Sequence, residues 1–99
     1  MGQTIQINDA KTIEHVLVLD TDRSLAGQDG EAYNGVEAAR RAATFPGRLA
    51  VRIFESDAAV DHIFVMSNTV SVRRPAGWPE KASSAVEQVV SDFFRYYTD

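Results

Sequence analysis

Cysteine is absent from the 99-residue chain. That excludes disulfides, thiol nucleophiles, zinc–thiolate sites and thiolate-ligated clusters on this chain alone. Long apolar runs are absent too, and no stretch approaches the ~18–20 residues of a membrane span. The N-terminus, Met1-Gly2-Gln3-Thr4-Ile5, lacks the basic region and the roughly 7–15-residue apolar run of a signal peptide. Met1-Gly2 is followed at position 6 by Gln, where N-myristoylation calls for Ser or Thr. A cytoplasmic protein with no membrane partner is expected. Excess positive charge is also missing: 10 basic against 14 acidic residues leave a net charge of −4. Only Arg40–Arg41 and Arg73–Arg74 pair basic residues, so nucleic acid is excluded as an expected partner, because phosphate contacts need a clustered positive field.

What remains is an ordinary globular composition, 44% hydrophobic and 24% charged. The length suits a single domain over residues 1–99 with one core. The plainest local pattern comes last. Ala82, Ala85, Val86, Val89, Val90, Phe93, Phe94 and Tyr97 are spaced alternately by three and one, one stripe down a helix. Pro79 suits the first helical position and Glu80 the positive end of the dipole. Such a helix of roughly 18 residues is about 27 Å long.

Before it, Val60–Met66 and Thr69–Arg73 read as a hairpin turning at Ser67-Asn68, with Val70 and Val72 on one face. Pro75-Ala76-Gly77 ends the second strand. Thr12–Asp20 reads as a strand and Thr4–Ile7 as a shorter partner, with the turn around Asp9-Ala10. Arg23–Gly30 reads as a loop. Val36–Ala43 is alanine-rich and helical, interrupted by Pro46-Gly47. Leu49–Phe54 fits a helix and a strand equally well by periodicity.

Motifs for chemistry are weak. Asp20, Asp22, Ser24 and Glu31 occupy EF-hand positions 1, 3, 5 and 12, but Leu25 replaces the required glycine and a strand precedes the loop. The loop reads as a solvated acidic one. His15 and His62, the two histidines, read as ordinary strand residues, since catalysis needs a converging carboxylate or serine. No serine stands in a nucleophile elbow. The expectation is no catalytic residue, no metal, no cofactor and no enzyme activity. Candidate protein-contact residues are Arg73 and Arg74 at the end of an outer strand, Trp78, and Tyr96 off the helical stripe. Trp78 also suits packing against the sheet at the start of the last helix.

From Tyr33 to Tyr97 the chain resembles the Nfu/NifU N-terminal domain of iron–sulfur scaffold proteins. The matching features are Glu37-Ala38, Leu49-Ala50, Ile53-Phe54, Val60, Ile63-Phe64-Val65, Val70-Ser71-Val72, Trp78 and Phe93-Phe94. Two places depart from the pattern. Asn8-Asp9-Ala10-Lys11-Thr12 stands where the family often has a proline-asparagine turn, and Pro46-Gly47-Arg48-Leu49 loosens its proline-leucine-alanine start. The resemblance implies that Leu49–Phe54 is helical. In that family the cluster sits on a separate Cys-x-x-Cys domain, so it also implies a stand-alone copy of the accessory, partner-recognising domain.

The expected fold is therefore two-layer α+β, with about four antiparallel strands in two hairpins. A short helical region and a long C-terminal helix pack on one face. The expected core is Val16, Val18, Leu49, Ile53, Phe54, Ile63, Val65, Val70, Val72, Val86, Val89, Val90, Phe93 and Phe94. The expected function is a non-catalytic interaction module whose partner is a protein of iron–sulfur cluster assembly or delivery. The alternative is a small-molecule-sensing regulatory domain.

Overall fold

The computed structural model describes residues 5–98, with side chains as far as residue 93. In chain order the elements are β1 (Ile7–Ile13), β2 (Val16–Thr21), β3 (Glu31–Tyr33), α1 (Val36–Ala42), α2 (Phe45–Ser56), β4 (His62–Met66), β5 (Thr69–Arg73) and α3 (Glu80–Thr98). The strands form one sheet in the order β1-β2-β5-β4-β3, every pairing antiparallel. The two expected hairpins, β1–β2 and β4–β5, join side by side through β2 and β5. The fold is α+β with five strands rather than four.

The fifth strand, β3, is three residues long and pairs Glu31–Tyr33 with Val65–Ile63. Three residues show no alternation of their own, so neighbours define this strand. β5 lies between β2 and β4, so Arg73 and Arg74 do not end an outer strand, and β3, added beyond β4, makes β5 the middle of five.

The first hairpin turns later than its composition suggests. Ile13 pairs with Val16 around Glu14-His15, and Glu14 adopts φ 56°. A glutamate in the left-handed region costs about 1–2 kcal/mol and leaves no turn signature in sequence. Asp9-Ala10, expected as the turn, is paired strand within β1, and the irregularity there is a bulge: the register shifts between Ile7 and Asp9. Thr12 and Ile13 thus belong to β1, and His15 to the turn rather than a strand. Thr4, the first residue of the shorter strand expected there, lies outside the described residues. In the second hairpin the turn stands at Ser67-Asn68 as expected, with Ser67 taking the positive φ of 53°.

Helices cover one face of the sheet. Leu17, Leu19, Ile63, Val65, Val70 and Val72 point from it onto Leu49, Ala50, Ile53 and Phe54 of α2 and Val86, Val90 and Phe93 of α3, all buried. In β2 the register differs from expectation by one residue. Leu17 and Leu19 enter the core, while Val16 and Val18 are half-buried on the other face. A run of four apolar residues offers either alternate pair to the core, and the pairing with β5 decides. Val89 is half-buried against the core edge. Phe94 and Tyr97 lie beyond the described side chains. The Phe93 ring meets Phe45 edge-on, centroids 5.1 Å apart.

Pro46-Gly47 opens α2 instead of breaking a helix. Thr44 is the N-cap, its Oγ1 accepting from Gly47 N at 3.1 Å, and Pro46 sits in the first turn. A Cβ on Gly47 would stand 2.9 Å from Ala39 O, so glycine lets α1 and α2 approach this closely. Leu49–Phe54 is helical, as the resemblance implied.

Thr44 also donates to Glu31 Oε1 at 2.7 Å, and the same oxygen accepts from the Tyr33 hydroxyl. This node ties edge strand β3 to the start of α2. Tyr33 is 3% exposed. Burial and then the Glu31 carboxylate push its hydroxyl up to about 12. An unfolded tyrosine ionises near 10, so the folded state favours the neutral phenol. The resulting stabilisation, about 2–3 kcal/mol, is complete below pH 10 and is lost as pH rises through 12. Unfolding free energy measured from pH 8 to 12 is expected to fall by that amount more in the wild type than in Tyr33→Phe. Equal slopes would show that the node does not shift Tyr33.

Candidate functional site

The second face of the sheet carries no helix among the described residues. Strand pairing arranges its side chains in rows. One row runs Ile13, Val16, Arg73, His62; the next runs Lys11, Val18, Ser71, Phe64, Ala32; the third runs Asp9, Asp20, Thr69, Met66. Val16, Val18 and Phe64 are half-buried only by their neighbours, while Ile13 is 56% and Met66 41% exposed. These last two are the exposed large hydrophobics among the described residues. Apolar side chains thus hold the middle and two corners, with Lys11, Arg73, Asp9 and Asp20 among them.

Local chemistry holds the rim in place. Arg73 donates to both Asp61 oxygens, at 2.8 and 3.1 Å. That guanidinium holds the Asp61 carboxyl below the usual carboxylate range. His62 Nδ1 lies 2.7 Å from Asn34 Oδ1. Thr69 Oγ1 donates to Asp20 at 2.9 Å. Phe64 lies over Gly30, which has φ 74°; a Cβ there would stand 2.6 Å from the ring. Glycine is thus required both by the backbone and by the aromatic ring it supports.

The four residues singled out in the sequence separate. Arg73 lies on the open face. Arg74, one residue on, points the other way: it donates to Asp57 at 2.9 Å and to Gly77 O at 2.9 Å, and lies 5.9 Å from the Trp78 ring centroid. Trp78 Nε1 donates to His15 O at 2.9 Å, and Arg74 N donates to the same carbonyl at 2.9 Å. Arg74 and Trp78 form a clasp joining the first hairpin, the end of α2 and the lead-in to α3. Tyr96 lies outside the described side chains. Ile13, Phe64 and Met66 were not anticipated as surface residues, because apolar strand residues do not reveal which face helices cover.

A concavity of about 830 Å³ lies beside α1 and α2, with Arg40, Arg48, Arg52 and Glu55 around Val51 and Phe93. Arg40 bridges Glu37 and Glu55, both at 2.9 Å. The acidic loop residues disperse. Asp22 pairs with Arg23 at 2.9 Å, Asp20 takes Thr69, and Glu31 joins Tyr33 and Thr44. Among the described residues no group of three or more His, Cys, Asp or Glu side chains could hold a metal, and no helix is long and apolar enough to cross a membrane.

No family model matches the chain, and no curated protein matches it. Among solved structures it is similar to the crystal structure of protein SAV1430 from Staphylococcus aureus. The TM-score is 0.64 at 18% identity, covering 85% of this chain and 96% of that one. At that identity the likeness establishes a shared fold.

Proposed function

We propose that the chain is a non-catalytic protein-docking module that uses the open face of its sheet. The observation carrying this reading is a sheet face without helical cover among the described residues, with Val16, Val18 and Phe64 at its middle and charged groups around them. An apolar centre with a polar surround is the usual anatomy of a protein interface. Five strands at about 4.8 Å spacing span roughly 20 Å, a footprint suited to a transient partner rather than an obligate one. The resemblance of Tyr33–Tyr97 to the Nfu/NifU N-terminal domain supports a partner in iron–sulfur cluster assembly or delivery.

The test is an affinity capture from native lysate with wild type, Arg73→Glu and Met66→Asp as baits. Both positions are exposed, at opposite ends of the β4–β5 ladder on that face. Enrichment of a cluster scaffold or cluster-bearing client by wild type, lost in both variants, is the expected result. Enrichment of such proteins by no bait, or equally by all three, overturns the reading. The concavity beside α2, with three arginines on its walls, favours a second one: sensing of a small anionic metabolite. A ligand-induced rise in melting temperature that disappears in Arg52→Ala would favour it over docking.

A further inference from the structure

The sheet has two edges, and they differ. β3 offers three residues, whereas β1 offers seven, with residues 8–13 all exposed. Among the described residues no backbone hydrogen bond reaches the outer side of β1. The two-residue turn at Glu14-His15 makes Ile13 and Val16 a hydrogen-bonded pair. By alternation Asp9 and Lys11 also bond inward to β2, while the amides and carbonyls of Ala10 and Thr12 point outward.

We propose that this edge binds β1 of a second copy of the chain, antiparallel and centred on Ala10, joining two sheets into one of ten strands. The strand reads Ile-Asn-Asp-Ala-Lys-Thr-Ile, chemically palindromic about Ala10. A twofold axis there sets Asp9 opposite Lys11 of the second copy, and Lys11 opposite its Asp9. Ala10 meets Ala10 through their outward backbone groups, and Thr12 comes opposite Asn8. Any other register of one residue or more loses both charge pairs.

Charge within the chain argues for the same partner. Asp9 stands directly opposite Asp20, a like-charge cross-strand pair, which is destabilising. Among the described residues no ion pair engages Asp9 or Lys11. Lys11 of a second copy would flank Asp9 on the side away from Asp20 and offset that repulsion. The bulge at Asn8 limits pairing to a short stretch, and twofold pairing is closed, so assembly stops at two. The twofold axis is perpendicular to the sheet, so helices of both copies lie on one side and their open faces become continuous.

Sedimentation equilibrium of the full chain from about 10 µM to about 1 mM would test this, a range suited to a short, edge-only contact. Wild type is expected to show a monomer–dimer equilibrium with no larger species. Asp9→Lys and Lys11→Asp each place like charges opposite one another twice, and each is expected to weaken self-association about tenfold or more. An equimolar mixture of the two restores both pairs and is expected to recover the dimer. Ala10→Pro removes an outward-facing N–H and is expected to give a monomer with unchanged circular dichroism. A wild type that stays monomeric throughout, or a dimer indifferent to the two charge variants, overturns the proposal. The charge variants lie at exposed positions and keep the test decisive should Ala10→Pro fail to fold. This inference concerns the edge of the sheet and stands independently of what docks on its face.

Discussion

Ile53→Ala is expected to lower the unfolding free energy by about 3–4 kcal/mol, a fall in melting temperature of roughly 15–25 °C for a domain of this size. Ile53 has no solvent exposure and lies in the last turn of α2, in one buried cluster with the sheet's Ile63, Val65, Val70 and Val72 and with Val86, Val90 and Phe93 of α3. Truncation removes three buried carbons and leaves a cavity. The neighbours are held by strand pairing on one side and by helix packing on the other, so little collapse can offset it. Ile13→Ala is the matched control. Ile13 is 56% exposed on the open face, and its loss should change stability by less than about 0.5 kcal/mol. Urea unfolding of both variants checks this; comparable losses would mean that the core does not lie between α2 and the sheet as described.

The second large effect separates two adjacent arginines. Arg74→Ala is expected to cost about 2–3 kcal/mol, and Arg73→Ala less than about 0.5. Arg74 and Asp57 are each 18% exposed, and Asp57 is the C-cap of α2. Losing Arg74 leaves that carboxylate poorly solvated, frees Gly77 O and removes the cation beside Trp78. Arg73 and Asp61 form an equally short pair, but at 52% and 44% exposure water screens most of its worth. Urea unfolding at low and at about 0.5 M salt would compare them, since screening affects exposed pairs most. Equal losses at both positions would remove the distinction between a clasp and a surface pair. The contrast also bears on function tests. Reversing both arginines together would confound docking with folding, whereas Arg73→Glu alone probes the open face.

Several elements are legible in the sequence because they are written in local periodicity. The stripe through Val86, Val90 and Phe93 needs only the helical repeat, and α3 buries those three residues. Val70 and Val72 alternate with polar residues, and β5 puts both in the core. The clasp was only half legible. Trp78 packs at the start of the last helix as its position suggested, but its bond to His15 O spans 63 residues and no spacing rule reaches that far.

The misplaced features share a cause. Glu14 at positive φ closes a hairpin without a turn residue, and Asp9-Ala10 continues a bulged strand where a turn was expected. Both backbone choices are imposed by pairing with β2. The half-turn in register that buries Leu17 and Leu19 instead of Val16 and Val18 is likewise chosen by the partner strand, since either pair is apolar enough.

The sequence by itself determined the fold class, the last helix, the second hairpin and the absence of thiol chemistry, because each depends on composition or on repeats a few residues long. Tertiary structure alone decided that β5 lies at the centre, that β1 is an exposed edge, and that one face of the sheet has no helical cover among the described residues. Those properties depend on which strands become neighbours across long stretches of chain. Strand order is settled by the shared burial of two hairpins and two long helices, and no local pattern encodes it. The complementary charges flanking Ala10 were present in the sequence throughout, but only their position at an edge makes them a surface that a second chain could read.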